Sequence, residues 1–188
     1  MEPEEIGPPG ILVLGLGNIL LQDEGVGVRA LEHLTNRYRL PAEVQAVDGG
    51  VLGLDLLPYL EQADALLVMD AVETGQPPGS LVRLEGASIP AALALKMSVH
   101  QVGLQELLAT SRLRGTLPSR VALWGIVPAS MEWGLALSPA VAARLDDLVE
   151  AVVRELRDWG VVVDEEATIV ATTNSSTPPA RPPTPRAC

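Results

Sequence analysis

Residues Ile11–Leu16, ILVLGL, carry apolar side chains at consecutive positions, without the apolar–polar alternation of a strand that has one wet face. A strand of that kind must be covered on both sides. The run at 65–72, ALLVMDAV, is of the same kind and is interrupted by Asp70 alone. Between such runs lie segments of helical period. At 26–38, Val26, Ala30 and Leu34 fall on one stripe, with Arg29, Glu32 and Arg37 elsewhere. A second strand is expected at 44–47, closing at Asp48-Gly49-Gly50. A short helix follows at 52–60, with Pro58 near its end.

The segment 73–80, ETGQPPGS, is dense in turn residues and too short to hold a crossover helix. Leu81–Glu85 is therefore expected to run antiparallel to the strand before it, as one hairpin. A last strand at 120–127 and a long amphipathic helix at 139–159, closed by Gly160, complete the pattern. The fold class this predicts is α/β, in three layers: a mostly parallel, mixed sheet with helices on both faces. The folded domain is expected over 11–164. Residues 1–10 form an acidic, Pro-rich extension, and 165–188 a Pro/Ser/Thr-rich tail expected to be disordered.

Thirteen Lys and Arg against 24 Asp and Glu give a net charge of −11, which disfavours nucleic acid or an anionic membrane as the main partner. No apolar run has the length of a membrane span, and the N-terminal residues lack the layout of a secretory signal. The lone cysteine, Cys188, offers neither a disulfide framework nor a thiolate metal cluster. A reducing cytoplasm is the expected compartment, and a monomer the expected state.

The turn after the first strand, Gly15-Leu16-Gly17, begins like a dinucleotide-binding loop. Leu20, however, stands where the third glycine of that fingerprint belongs. Asp23 and Glu24 follow, and a carboxylate repels a pyrophosphate unless a cation lies between them. Asp48, at the end of the second strand, keeps a nucleotide-binding reading open. Asp23 suits the cap of the helix that begins near Val26. Glu24, followed by Gly25 and Gly27, sits where the backbone permits close approach.

Asp70 interrupts a buried strand near its carboxyl end, where α/β sheets place their sites and an unpaired carboxylate is costly. His100 falls in the first turn of a helix opened by the Ser98/Gln101 capping box, where the dipole favours a neutral imidazole. Together Glu24, Asp70 and His100 offer two hard oxygens and one nitrogen, a set suited to a divalent Zn, Ni, Co or Mn ion. The other histidine, His33, is expected to be solvated. Trp124, Met131 and Trp133 are expected to pack in the core, with help in holding a substrate near the crevice as the alternative. No cysteine lies in the body, and no G-x-S-x-G elbow occurs.

The stretch ILVLGLGNILLQDEGVG (11–27) closely resembles the N-terminal signature of the nickel–iron hydrogenase maturation endopeptidases, G-x-G-N-x-L-x-x-D-[DE]-G-x-G. VDGG, ALLVMDAV, GQPPGSLVRL, KMSVHQVGLQELL and GIVPASMEWGLALSP resemble later stretches of that family, in the same order. The resemblance implies a twisted five-stranded sheet between helices. It also implies an endopeptidase that removes the C-terminal extension of a hydrogenase large-subunit precursor after nickel insertion. Glu24, Asp70 and His100 match the family's metal-contacting residues and are the expected catalytic and metal-binding set. The nickel is expected to arrive with the substrate. Two other readings stay open at this point: a Rossmann-like binder of nucleotide or methyl donor, and a chaperone of the large subunit that makes no cut.

Overall fold

In the computed structural model the described residues are 10–86, 88–93 and 99–165, with 91–93 and 99–101 described as backbone alone. The elements in chain order are β1 (Ile11–Leu16), α1 (Val26–Arg37), β2 (Tyr38–Arg39), β3 (Val44–Gly50), α2 (Leu57–Leu60), β4 (Ala65–Ala71) and β5 (Leu81–Glu85). After them come α3 (Ser88–Leu93), α4 (Val99–Arg114), β6 (Arg120–Ile126), α5 (Pro139–Ala142), α6 (Leu145–Asp158) and β7 (Asp164–Glu165). Short 3-10 turns occupy Gln22–Gly25 and Gly53–Leu56. Among the described residues no helix is long and apolar enough to cross a membrane.

Five strands form one sheet in the order β3-β1-β4-β6-β5, and β2 pairs with β7 apart from it. The first four strands are parallel, and β5 runs antiparallel to β6. The mixed, mostly parallel sheet expected from the apolar runs is thus present. Successive residues of β1 and β4 serve opposite layers. Val13, Leu67 and Met69 pack with Val26, Ala30 and Leu34 of α1 and Leu148, Val152 and Leu156 of α6. Leu12, Leu14, Leu66 and Val68 pack on the other side with Leu56, Leu60, Leu104 and Leu107. Two dry faces explain why the runs do not alternate.

Three details differ from the sequence reading. Leu81–Glu85 has the expected direction, yet its partner is β6, which lies between it and β4, so no hairpin forms. Ala122 and Leu123 of β6 are buried toward opposite layers, whereas β5 exposes Arg83 and Glu85. A strand buried on both faces takes the interior, and the half-wet strand takes the edge.

The helix expected at 139–159 is two, because Arg144 (φ −111°, ψ 0°) leaves the helical region between α5 and α6. Its N–H bonds three residues back, to the Val141 carbonyl. At the far end, Gly160 (φ +91°) closes α6 as expected. Val161 N–H donates to Leu156 and Gly160 N–H to Arg157, satisfying carbonyls that the helix itself leaves open. The helix expected at 52–60 begins instead as the 3-10 turn, and α2 takes over at Leu57. Pro58 stands in the first turn of α2, where its missing N–H costs nothing.

Candidate active site

The order of the parallel strands reverses between β1 and β4, which opens a crevice beyond their carboxyl ends. The start of α1 is driven into that junction. A Cβ added to Gly27 would stand 2.1 Å from the Met69 carbonyl oxygen and 2.4 Å from that of Leu16. Only glycine lets the helix approach both strand ends so closely. At Gly17 (φ +119°) a Cβ would fall 1.7 Å from the Glu24 carbonyl oxygen. The glycines of the 11–27 motif therefore fold the Gln22–Gly25 turn back onto the end of β1.

Glu24 and Asp70 sit on these two neighbouring segments. Glu24 is 5% exposed and Asp70 fully buried. Asp70 Oδ1 accepts a hydrogen bond from the next residue's N–H, Ala71, at 2.7 Å. By the pleat of β4, Asp70 shares a face with Leu66 and Val68, the face covered by Leu104 and Leu107 of α4. The first turns of α4 reach the same rim: a Cβ on Gly103 would lie 2.9 Å from the Cα of Gly53, just beyond β3. His100 belongs to that helix as backbone; its side chain and Ser98, half of the expected capping box, lie outside the described residues. Among the described residues, no group of three His, Cys, Asp or Glu side chains is placed to hold a metal ion.

Asp23 does not cap α1. The residue before that helix is Gly25, and no side chain caps it. The Asp23 carboxylate, fully buried, instead takes four hydrogen bonds from the segment after β6. Oδ2 accepts from Ala129 N–H (2.8 Å), Ser130 N–H (3.0 Å) and the Ser138 hydroxyl (2.8 Å), while Oδ1 accepts from Ser138 N–H (2.7 Å). Backbone bonds extend the seam: Gln22 N–H donates to the Gly134 carbonyl, Gly134 N–H to that of Leu20, and Asp23 N–H to that of Ser130. Arg29 braces the same segment through the Leu135 carbonyl. Residues 128–138 are thereby fixed as a wall beside the Glu24 turn. The sequence displays the acid and both serines but not their pairing, which spans more than a hundred residues.

Asp48 turns back onto its own chain, with Oδ1 accepting from Gly50 N–H at 3.0 Å. His33 is half exposed, with Nδ1 3.7 Å from Asp146 Oδ1. Of the residues expected to pack in the core, Trp124 is partly buried and donates its indole N–H to Glu155, but Trp133 is 81% exposed and Met131 also reaches solvent. Both lie on the 128–138 wall rather than on a strand, so no layer covers them. A cavity of about 790 Å³ lies at the other end of the sheet, between α4 and the start of β6, lined by Leu108, Arg112 and Pro118.

Known proteins share this architecture and much of this sequence. The HycI hydrogenase maturation protease family profile matches residues 28–155. The hydrogenase expression/formation protein HupD of Rhodobacter capsulatus is 49% identical over 164 residues, covering 86% of this chain and 78% of HupD. The hydrogenase 2 maturation protease of Escherichia coli K12 is 41% identical over 152 residues, covering 80% of this chain and 93% of its own. The solved structure of the hydrogenase maturating endopeptidase HybD from E. coli superposes with a TM-score of 0.80 at 40% identity, covering 83% and 97% of the two chains. The chain belongs to the nickel–iron hydrogenase maturation protease family and is a hydrogenase maturation endopeptidase.

Proposed function

We propose that this endopeptidase removes the C-terminal extension of a nickel–iron hydrogenase large-subunit precursor once nickel is in place, and that Glu24, Asp70 and His100 read the nickel carried by the substrate. The observation that carries the reading is Asp70, a fully buried carboxylate at the carboxyl end of β4, beside the turn that bears the buried Glu24. Burial of ionisable groups is costly, and buried acids at the switch point of an α/β sheet are the residue type a divalent ion repays. The packing of α4 on the face of β4 that carries Asp70 supports His100 as the third member.

Oxygen and nitrogen donors without thiolates suit a transient role. They complete the coordination of a nickel ion already held by substrate cysteines and do not compete with those sulfurs for it. Held so, the substrate lies with its extension across the crevice, which supplies orientation. The substrate's nickel polarises the scissile carbonyl or activates water, and Glu24 or Asp70 accepts the proton.

Mass spectrometry after mixing the protein with nickel-loaded and nickel-free precursor tests this. Only the loaded precursor should lose its extension. Equal cleavage of both would refute recognition of nickel, and an intact loaded precursor would refute the protease assignment. Glu24→Gln, Asp70→Asn and His100→Ala should each keep the fold and lose processing.

A further inference from the structure

The wall clamped by Asp23 presents apolar side chains to solvent instead of burying them. Trp133 is 81% and Leu135 64% exposed. They flank Gly134, which bonds to Leu20 and Gln22 on the opposing turn. Ile19 and Leu20 on that turn are exposed as well. Four large apolar residues from two distant parts of the chain thus stand together around one backbone seam. No charge interrupts the turn from Gly17 to Leu21, and Glu132 is the single charge between Met131 and Leu137. On a chain of net charge −11 this is an unusual stretch of surface.

The stretch is also rigidly held. Four hydrogen bonds converge on the buried Asp23, and Arg29 adds a fifth support through the Leu135 carbonyl. Holding the backbone on both sides of an exposed tryptophan in place removes the part of the ordering cost that a mobile loop would incur on binding. Ile19 lies against the turn that carries Glu24, since a Cβ on Gly25 would stand 2.7 Å from the Ile19 Cα, so this surface borders the crevice.

We infer that Ile19, Leu20, Trp133 and Leu135 form an apolar docking face for the large-subunit precursor, gripping its surface beside the point of cleavage. The inference rests on the cut taking place at Glu24 and Asp70. The occupant is the precursor for two reasons. The face borders the crevice that a protein substrate must enter. A second copy seated there would bring together two chains each carrying −11. Aromatic anchors at the centre of an interface supply much of its binding energy.

Initial rates with nickel-loaded precursor over a range of concentrations test the face, using the full chain with Trp133→Asp, Leu135→Asp or Trp133→Phe. Both aspartate variants should raise KM at least tenfold with kcat within twofold, the pattern of lost uniform binding, and Trp133→Phe should stay within threefold of the parent KM. An unchanged KM, or a loss confined to kcat, would overturn the inference. So would a self-associated parent chain that Trp133→Asp converts to monomer without changing KM, since the face would then belong to a second copy. Glu24→Gln in the same assay keeps the two ideas apart: if it cleaves normally, the metal reading fails whatever the docking variants do.

Discussion

Asp23 and Ser138, far apart in the chain, meet through two hydrogen bonds: the Ser138 N–H reaches Oδ1 at 2.7 Å and its hydroxyl reaches Oδ2 at 2.8 Å. The same hydroxyl accepts the Val141 N–H at 3.4 Å, as the cap of α5. One serine therefore ties the Gln22–Gly25 turn to the wall and starts the next helix.

Ser138→Ala loses one donor to a buried carboxylate and the cap together. The expected cost is about 1–2 kcal/mol, measured by urea unfolding. Asp23→Ala strands three backbone N–H groups and is expected to cost about 3 kcal/mol or more by the same measurement. A loss below about 0.5 kcal/mol for Asp23→Ala would show that the clamp contributes little.

Gly27→Ala should destabilise by about 3 kcal/mol or more, although alanine favours a helix over glycine by about 1 kcal/mol. The added methyl would meet two backbone carbonyls, those of Met69 and Leu16, and backbone cannot yield as a side-chain tip can. A melting temperature equal to the parent's would contradict this packing.

Glu155 organises the outer layer of the sheet. It accepts both Arg83 Nε and Nη2 at 2.8 Å, Trp124 Nε1 at 2.9 Å and Trp159 Nε1 at 3.0 Å. The Arg83 fork, with help from the two indoles and against the effect of burial, holds its carboxyl at about 2, below the ordinary 4.5. A carboxylate with a depressed folded value contributes fully above the unfolded value and loses that contribution as it protonates. Stability should therefore fall as pH drops from about 4.5 towards 2, and Glu155→Gln should flatten that part of the profile. Chemical denaturation across that range measures it.

Glu155→Ala leaves Arg83 with Glu85 as its carboxylate partner and two indole N–H groups without their acceptor. The expected cost is about 2–4 kcal/mol, reduced toward the lower figure because Arg83 is 39% exposed. Processing below the unfolding transition should stay within twofold of the parent, because Glu155 lies on α6 and away from the crevice. A kcat loss without destabilisation would place α6 in the chemistry.

The sheet and most of the site's supporting elements were legible in the sequence because their signals are local. Consecutive apolar residues report two dry faces, the helical stripe of Val26, Ala30 and Leu34 reports a packed helix, and Gly160 reports a helix end. The 11–27 motif likewise marked the turn where the chain bends sharply. Nothing local distinguished Asp23, a structural clamp, from its neighbour Glu24, because both are buried acids on one turn and differ in what approaches from elsewhere.

From the order of residues alone came the strand directions, the two-sided cover of the sheet, and the short set of acids and histidine proposed to serve a divalent ion. Folding in three dimensions decided that β6 comes between β4 and β5, that Asp23 fastens the 128–138 wall, and that Trp133 faces water. The physical reason is range: periodicity and turn chemistry act over a few neighbouring residues, whereas sheet order and a carboxylate's donors depend on segments as much as 115 residues apart, brought together only when both layers pack.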